Sequence, residues 1–197
     1  MSQTVDFYFD VGSPTAYLAY TQLPRIAAEC KATVVWKPML LGGVFKATGN
    51  ASPATVAAKS RWMRQDMDRW AARYGEALAH NPHFPINTLT LMRGATGFLA
   101  KDRGEFLHYL SVIYPAMWQS SRNLGDSDVL AALLRENGVD VDAFVAMVSE
   151  PAVKAQLVAT TEEAVARGVF GAPTMFVNEQ MHFGQDRLDW VRQALAT

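Results

Sequence analysis

A short apolar run, Val5 to Phe9, is rich in Val, Phe and Tyr and is bounded by Asp10 and Gly12, which predicts a buried strand. Ser13-Pro14 follows as a helix start. Serine is a favoured N-cap, and proline is tolerated at the first helical position, where an N–H has no intrahelical partner. Tyr17, Leu18, Leu23 and Ile26 then form one apolar helical face up to about Cys30, with a kink expected at Pro24. Thr33 to Met39 (TVVWKPM) predicts a second strand, so residues 5–39 read as one βαβ unit.

The pattern then becomes helical. Between Ala54 and Tyr74 the residues Met63, Met67, Trp70 and Tyr74 recur at helical spacing. Segments 89–101, 104–119, 126–137, 140–149 and 151–167 also predict helices, with Asp126 and Asp142 in early turns, Asn137-Gly138 as a stop and Pro151 as a start. At the end the β pattern returns. Thr174 to Val177 and Met181 to Phe183 flank a turn at Asn178-Glu179-Gln180, whose type the dipeptide leaves open. Asp186 to Ala196 predicts a last helix with Leu188, Val191 and Leu195 on one face. The order β-α-β, a long helical stretch, then β-β-α predicts an α/β protein: a thioredoxin-like core (1–50 and 168–197) interrupted by a large all-helical insertion (51–167). The insertion must pack on the core it interrupts, and the groove between them is a natural ligand site.

Composition narrows the chemistry. Half of the 197 residues are hydrophobic and 19% are charged, enough apolar side chain for a large core and against disorder. A net charge of -1 leaves no electrostatic footprint for nucleic acid or an anionic membrane, so neither is an expected partner. No stretch approaches the roughly 18–20 apolar residues of a membrane span. Met1 to Asp10 has no basic stretch and is interrupted by Asp6 and Asp10, so no export signal is expected and a reducing cytoplasm is the expected location. Asn50-Ala51-Ser52 reads as a chance sequon. The one cysteine, Cys30, excludes a disulfide framework, a CxxC pair and a thiolate zinc site, and reads as a small hydrophobe. His80, His83, His108 and His182 are scattered, and no carboxylate partner for His80-Asn81-Pro82-His83 is evident, so no metal is expected.

Three places carry candidate chemistry. Ser13-Pro14-Thr15-Ala16 lies at the strand-to-helix turn where a thioredoxin-like redox protein carries CxxC, with both cysteine positions lost. A helix N-terminus still stabilises a thiolate, and a hydroxyl there can donate to one brought by a cofactor. The plainer role of Ser13 is an N-cap. Phe170-Gly171-Ala172-Pro173-Thr174 places a proline at the opening of a strand opposite that turn, the setting of a cis bond that exposes the Ala172 backbone to an extended peptide. Its plainer role is a strand-edge proline. Phe183-Gly184-Gln185-Asp186-Arg187 opens the last helix, where backbone N–H groups can hold a carboxylate and Asp186 an ammonium. The plainer role of Asp186 is a helix cap.

Taken in order and spacing, FYFDVGSPTAYLA, GGVFKATGN, GVFGAPTMFV and FGQDRLDWV resemble the 2-hydroxychromene-2-carboxylate isomerases, DsbA-like relatives of the kappa-class glutathione transferases. The match covers nearly the whole chain, in pattern only through the helical middle. The resemblance implies a glutathione-dependent cis/trans isomerase of aromatic catabolites and a homodimer. It implies that Ser13 holds the glutathione sulfur as the catalytic residue. Ala172 and Pro173 face the cysteinyl part, Gln185 and Asp186 grip the γ-glutamyl end, and Gly184 and Arg187 lie beside them. Lys46 and Asn50, in a loop after the second strand, and Asn87 and Thr88 after Phe84-Pro85, line the substrate or glutathione. Thr88 stands where some relatives carry an aromatic. A glutathione transferase and a non-catalytic glutathione- or peptide-binding protein are the competing readings. Lys59 is a further candidate for a glutathione carboxylate, and the exposed edge of the Trp62, Met63, Met67 and Trp70 stripe for an aromatic ring.

Overall fold

A computed structural model describes residues 3–196; Met1, Ser2 and Thr197, which fall in the segments 1–50 and 168–197, lie outside the described residues. The elements run β1 (Thr4–Phe9), α1 (Pro14–Glu29), β2 (Thr33–Pro38), α2 (Leu41–Thr48), α3 (Ala57–Tyr74), α4 (Leu89–Lys101), α5 (Arg103–Trp118), α6 (Ser127–Glu136), α7 (Val141–Ser149), α8 (Pro151–Ala166), β3 (Thr174–Val177), β4 (Gln180–Phe183) and α9 (Leu188–Leu195). β1 pairs in parallel with β2, Phe7 opposite Trp36, and antiparallel with β3, Val5 opposite Val177. β4 returns from β3 through Asn178-Glu179, giving the order β2-β1-β3-β4. Asn178 takes the left-handed region (φ 47°), which asparagine tolerates better than most residues. This is the thioredoxin-like fold with a helical insertion that the order of elements predicts.

Alternation along β1 sorts its side chains to the two faces of the sheet. Phe7 and Phe9 stack at 5.3 Å, and both meet the ring of Trp36 edge-on. Phe106 of α5 packs on Trp36 at 5.4 Å, and Tyr114 stacks on Tyr20 of α1 at 4.6 Å. One apolar cluster therefore runs unbroken from the sheet into α4, α5, α6 and α7. Tyr8 turns to the opposite face and is buried with Met39, Val44, Ala164, Val169 and Phe176 beneath α2 and α8. We propose the division into 1–50 with 168–197 and 51–167 on chain order, with this shared core between the parts. Among the described residues no helix is long and apolar enough to cross a membrane.

Two elements differ from the sequence expectation. Leu41–Thr48 is a helix where a loop is expected. Gly42 and Gly43 lower its propensity, but remote groups hold its start. Leu41 N–H donates to Asp10 Oδ2 at 2.9 Å and Leu40 N–H to Thr161 Oγ1 at 3.0 Å, while Gly49 (φ 71°) closes the end. The last helix begins at Leu188 rather than Asp186, after a 3-10 turn at Gln185–Arg187. Elsewhere Asp102, Asp126 and Asp140 cap α5, α6 and α7 by accepting first-turn N–H groups, and Asp142 lies in the first turn of α7 as expected. α1 continues through Pro24.

Gly94 lets α4 approach α5 and α7. A Cβ there would lie 2.6 Å from the Tyr109 hydroxyl, which is fastened to Leu91 O at 2.9 Å, and 2.7 Å from the Phe144 ring. Overpacking of about 1–3 kcal/mol should outweigh the helix-propensity gain of roughly 1 kcal/mol. Gly94→Ala is therefore expected to lower the urea midpoint, by a net destabilisation of about 1 kcal/mol. A midpoint equal to or above the parent's would contradict the close approach.

Candidate active site

The strand-to-helix turn is built around a buried carboxylate. Asp10 ends the apolar run of β1 and is 1% exposed. It accepts from Gly12 N–H at 2.9 Å, Leu41 N–H at 2.9 Å and Thr88 Oγ1 at 3.0 Å, so one side chain ties the turn to α2 and to the start of α4. Burial pushes the Asp10 carboxyl above the usual carboxylate range, and the three donors act against that rise. Trp118 Nε1–H donates to Val11 O at 2.8 Å and secures the turn to α5.

Ser13 is the N-cap of α1, and its Oγ accepts from Ala16 N–H at 3.1 Å. Capping uses only the oxygen lone pair. The hydroxyl proton remains to be donated, and two acceptors stand near it: Ala172 O at 3.2 Å and Thr15 Oγ1 at 3.0 Å. Thr15 Oγ1 donates to the same Ala172 carbonyl at 3.1 Å. The Ala172–Pro173 bond is cis, as the sequence position predicts, and so is Phe84–Pro85. The third motif closes the same region. Gly184 N–H donates to Pro173 O at 3.0 Å, and Tyr74 of α3 donates its hydroxyl to Gln185 O at 2.9 Å. The Tyr74 hydroxyl is pushed up to about 12, by burial first and then by the negative charges of Asp189 and Asp186. Gln185 is buried, and its Oε1 has no hydrogen-bond partner among the described residues.

These groups open on a cavity of about 570 Å³ between the end of β1, α2, α3, the 80–88 loop and the 171–186 segment. Ser13, Asn50, Thr88, Ala172, Gly184, Gln185 and Asp186 all face it, so residues far apart in the chain share one wall. Lys46, Asn87, Pro173 and Arg187 are outside that wall. Lys46 is exposed on α2, Asn87 Oδ1 accepts from Leu89 N–H at 3.0 Å, and Lys59 is exposed on α3. Asn50 Nδ2 donates to Phe170 O at 2.8 Å, holding the segment after α2 against the Ala172 loop. Asp186 is not a helix cap: its carboxylate pairs with Arg187 at 2.6 Å, Gly184 (φ 100°) precedes the 3-10 turn, and Arg187 stands at the cap position of α9. Trp62, Met63 and Met67 line the cavity and Trp70 does not.

Sequence reasoning missed three parts of this wall. The structural role of Asp10 has a signal, an acid closing an apolar strand. Thr15 shows only as a second hydroxyl two residues after the cap. His80 does have a carboxylate partner, Asp68 at 2.8 Å, reached by folding the chain after α3 back along it. Among the described residues no group of three or more His, Cys, Asp or Glu could hold a metal. A second cavity of about 820 Å³, between α4, α5, α7 and α8, shares no residue with the wall around Ser13.

Comparison with known proteins shows the family and the fold. The model of the DSBA-like thioredoxin domain matches residues 4–196. The 2-hydroxychromene-2-carboxylate isomerase of Sphingobium xenophagum is 32% identical, over 99% of this chain and 99% of its own. Glutathione S-transferase kappa 1 of Caenorhabditis elegans is 26% identical, over 97% of this chain and 90% of its own. A solved structure of a 2-hydroxychromene-2-carboxylate isomerase superposes with a TM-score of 0.86 at 29% identity, covering 98% of this chain and 94% of that one.

Proposed function

We propose that this chain, which belongs to the DsbA-like thioredoxin-domain family and within it to the 2-hydroxychromene-2-carboxylate isomerase family, is a glutathione-dependent cis/trans isomerase. The substrates in this proposal are 2-hydroxychromene-2-carboxylate and trans-o-hydroxybenzylidenepyruvate-type aromatic catabolites. The observation that carries it is the meeting of the Ser13 hydroxyl with the Ala172 carbonyl, on the wall of a cavity that no cysteine lines. Cys30 is elsewhere, its thiol against Arg192 O at 3.8 Å. Thiol chemistry at Ser13 therefore needs a thiol brought in by a bound molecule.

The polar groups at the site fit glutathione. Gln185 Oε1 is a buried acceptor that an ammonium or amide N–H would satisfy. The N-terminus of α1 carries partial positive charge, which favours a thiolate over a thiol. In this reading Ser13 donates to the sulfur, the Ala172 backbone, set by Pro173, pairs with the cysteinyl part, and Gln185 and Asp186 hold the γ-glutamyl end, with Gly184 beside them on the wall and Arg187 behind it, paired to Asp186. When bound, glutathione supplies a thiolate whose reversible addition to a conjugated enone makes the double bond single and rotatable. The chain's part is to keep that sulfur ionised near neutral pH, below the ordinary thiol value of about 8.5. Trp62, Met63, Met67 and Phe84 supply an apolar wall for an aromatic ring. Asn50 and Thr88 are the direct candidates for substrate contact, with Lys46 and Asn87 behind them. A homodimer, which rests on the resemblance, and a cytoplasmic location belong to the same proposal.

The kappa-class relative favours a second reading, a glutathione transferase on the same scaffold. Counting free thiol before and after turnover separates the two. An isomerase returns every thiol, whereas a transferase consumes one per substrate; a binding protein turns over neither.

Asp186 offers a measure of the γ-glutamyl contact. A hydrogen bond to a charged group contributes about 1.5–3 kcal/mol, but Asp186 must first release Arg187, an exposed pair worth up to about 1 kcal/mol. Asp186→Ala is expected to weaken glutathione binding by about 1–2 kcal/mol in titration calorimetry. Unchanged affinity would remove Asp186 from the site.

A further inference from the structure

Two hydroxyls compete for one carbonyl at the start of α1. Ser13 Oγ and Thr15 Oγ1 lie 3.2 Å and 3.1 Å from Ala172 O and 3.0 Å from each other. Each hydroxyl has a single proton, and Ser13 Oγ also accepts from Ala16 N–H, which fixes its position but leaves its proton free to turn. A carbonyl without a donor is costly in a partly buried place. If Ser13 were the sole donor to Ala172 O, turning its proton toward an anion in the cavity would strand that carbonyl. Thr15 removes the conflict, because it can serve Ala172 O alone.

We propose that Thr15 is a positioning residue: by holding the Ala172 carbonyl it frees the Ser13 proton for an anionic sulfur in the cavity. The inference rests on the reading of the site as a glutathione thiolate site and adds a residue to it. Thr15 need not touch the sulfur. Its effect passes through Ser13, and this sets it apart from a merely structural threonine in the first turn of a helix. The other charged groups on the wall, Asp10, Arg64, Asp66, His80 and Asp186, are common to the parent and every Thr15 variant and cancel in a comparison between them.

The test is the ultraviolet absorbance of bound glutathione thiolate followed against pH. Thr15→Val keeps the shape and removes the hydroxyl; Thr15→Ser restores a hydroxyl without the methyl. Thr15→Val is expected to raise the apparent pKa of the bound thiol by about one unit, a roughly tenfold smaller ionisation constant. Thr15→Ser should return it to the parent value. In a Ser13→Ala background, Thr15→Val should produce no further shift, since no Ser13 proton remains to be freed. An unshifted pKa in Thr15→Val, or an equal shift with and without Ser13, would overturn the inference while leaving the thiolate site standing. Absence of any bound thiolate in the parent protein would overturn both together. Should Thr15→Val fail to fold, Thr15→Ala carries the same comparison, with folding followed by thermal melt.

Discussion

Ser13→Ala is expected to lower turnover by roughly 10²–10³-fold, the scale on which a single donor to a developing or resident anion acts. The Ser13 hydroxyl sits where α1 begins, 3.2 Å from Ala172 O and on the cavity wall, so its proton can turn toward an anion held at the start of that helix. Glutathione affinity should fall much less, because the contacts of Gly184, Gln185 and Asp186 remain. The deficit should shrink as pH rises and more of the bound thiol ionises unaided. The same oxygen also caps α1 by accepting from Ala16 N–H, so the variant should lose about 1 kcal/mol of stability as well. Turnover per folded molecule separates the two roles. A cap alone predicts near-normal turnover in the folded fraction, and that result would remove Ser13 from the chemistry.

The second large effect is expected at Asp10. Asp10→Ala leaves the Gly12 and Leu41 N–H groups and the Thr88 hydroxyl without their common acceptor. A buried donor left unsatisfied costs about 1–3 kcal/mol. Relief from burying a carboxyl offsets part of the sum, and a net loss of about 2–4 kcal/mol is expected in a denaturant melt. The pH dependence has a definite sign. An acid whose pKa is raised on folding binds its proton more tightly in the folded than in the unfolded chain. Its contribution to stability is therefore greatest below its unfolded value of about 3.9 and falls as pH rises from there through the folded value. Asp10→Asn removes this titration, so the stability difference, parent minus Asp10→Asn, should decline over that window. A pH-independent difference would mean that the three donors cancel the effect of burial.

The parts of the site legible in the sequence are those determined by neighbours in the chain. β1, the Ser13-Pro14 start of α1, the β3–β4 hairpin and the proline after Ala172 follow from local pattern, and the three motifs that face one cavity were each visible as a turn with a special residue. What escaped depends on distant partners. α2 is helical although it contains Gly42-Gly43, because Asp10 and Thr161 supply its missing caps from other elements. Reading the segment as a loop also set Lys46 on that loop, whereas the helix carries it at an exposed position outside the cavity wall. Asp186 resembles a cap in sequence, yet it lies inside a 3-10 turn that precedes α9, and its carboxylate pairs with Arg187. The partnership of Thr15 with Ala172 spans 157 positions and has no local signal at all.

In the proposed function, bound glutathione provides the reacting thiol for the isomerisation, and Ser13 holds its sulfur. The most direct measurement is the absorbance of 2-hydroxychromene-2-carboxylate mixed with the purified protein, with and without glutathione. The spectrum should change toward the ring-opened trans enone acid only when both protein and glutathione are present, with free thiol undiminished at equilibrium. A spectrum that stays unchanged with both present, or that changes equally without glutathione, would contradict the proposed function.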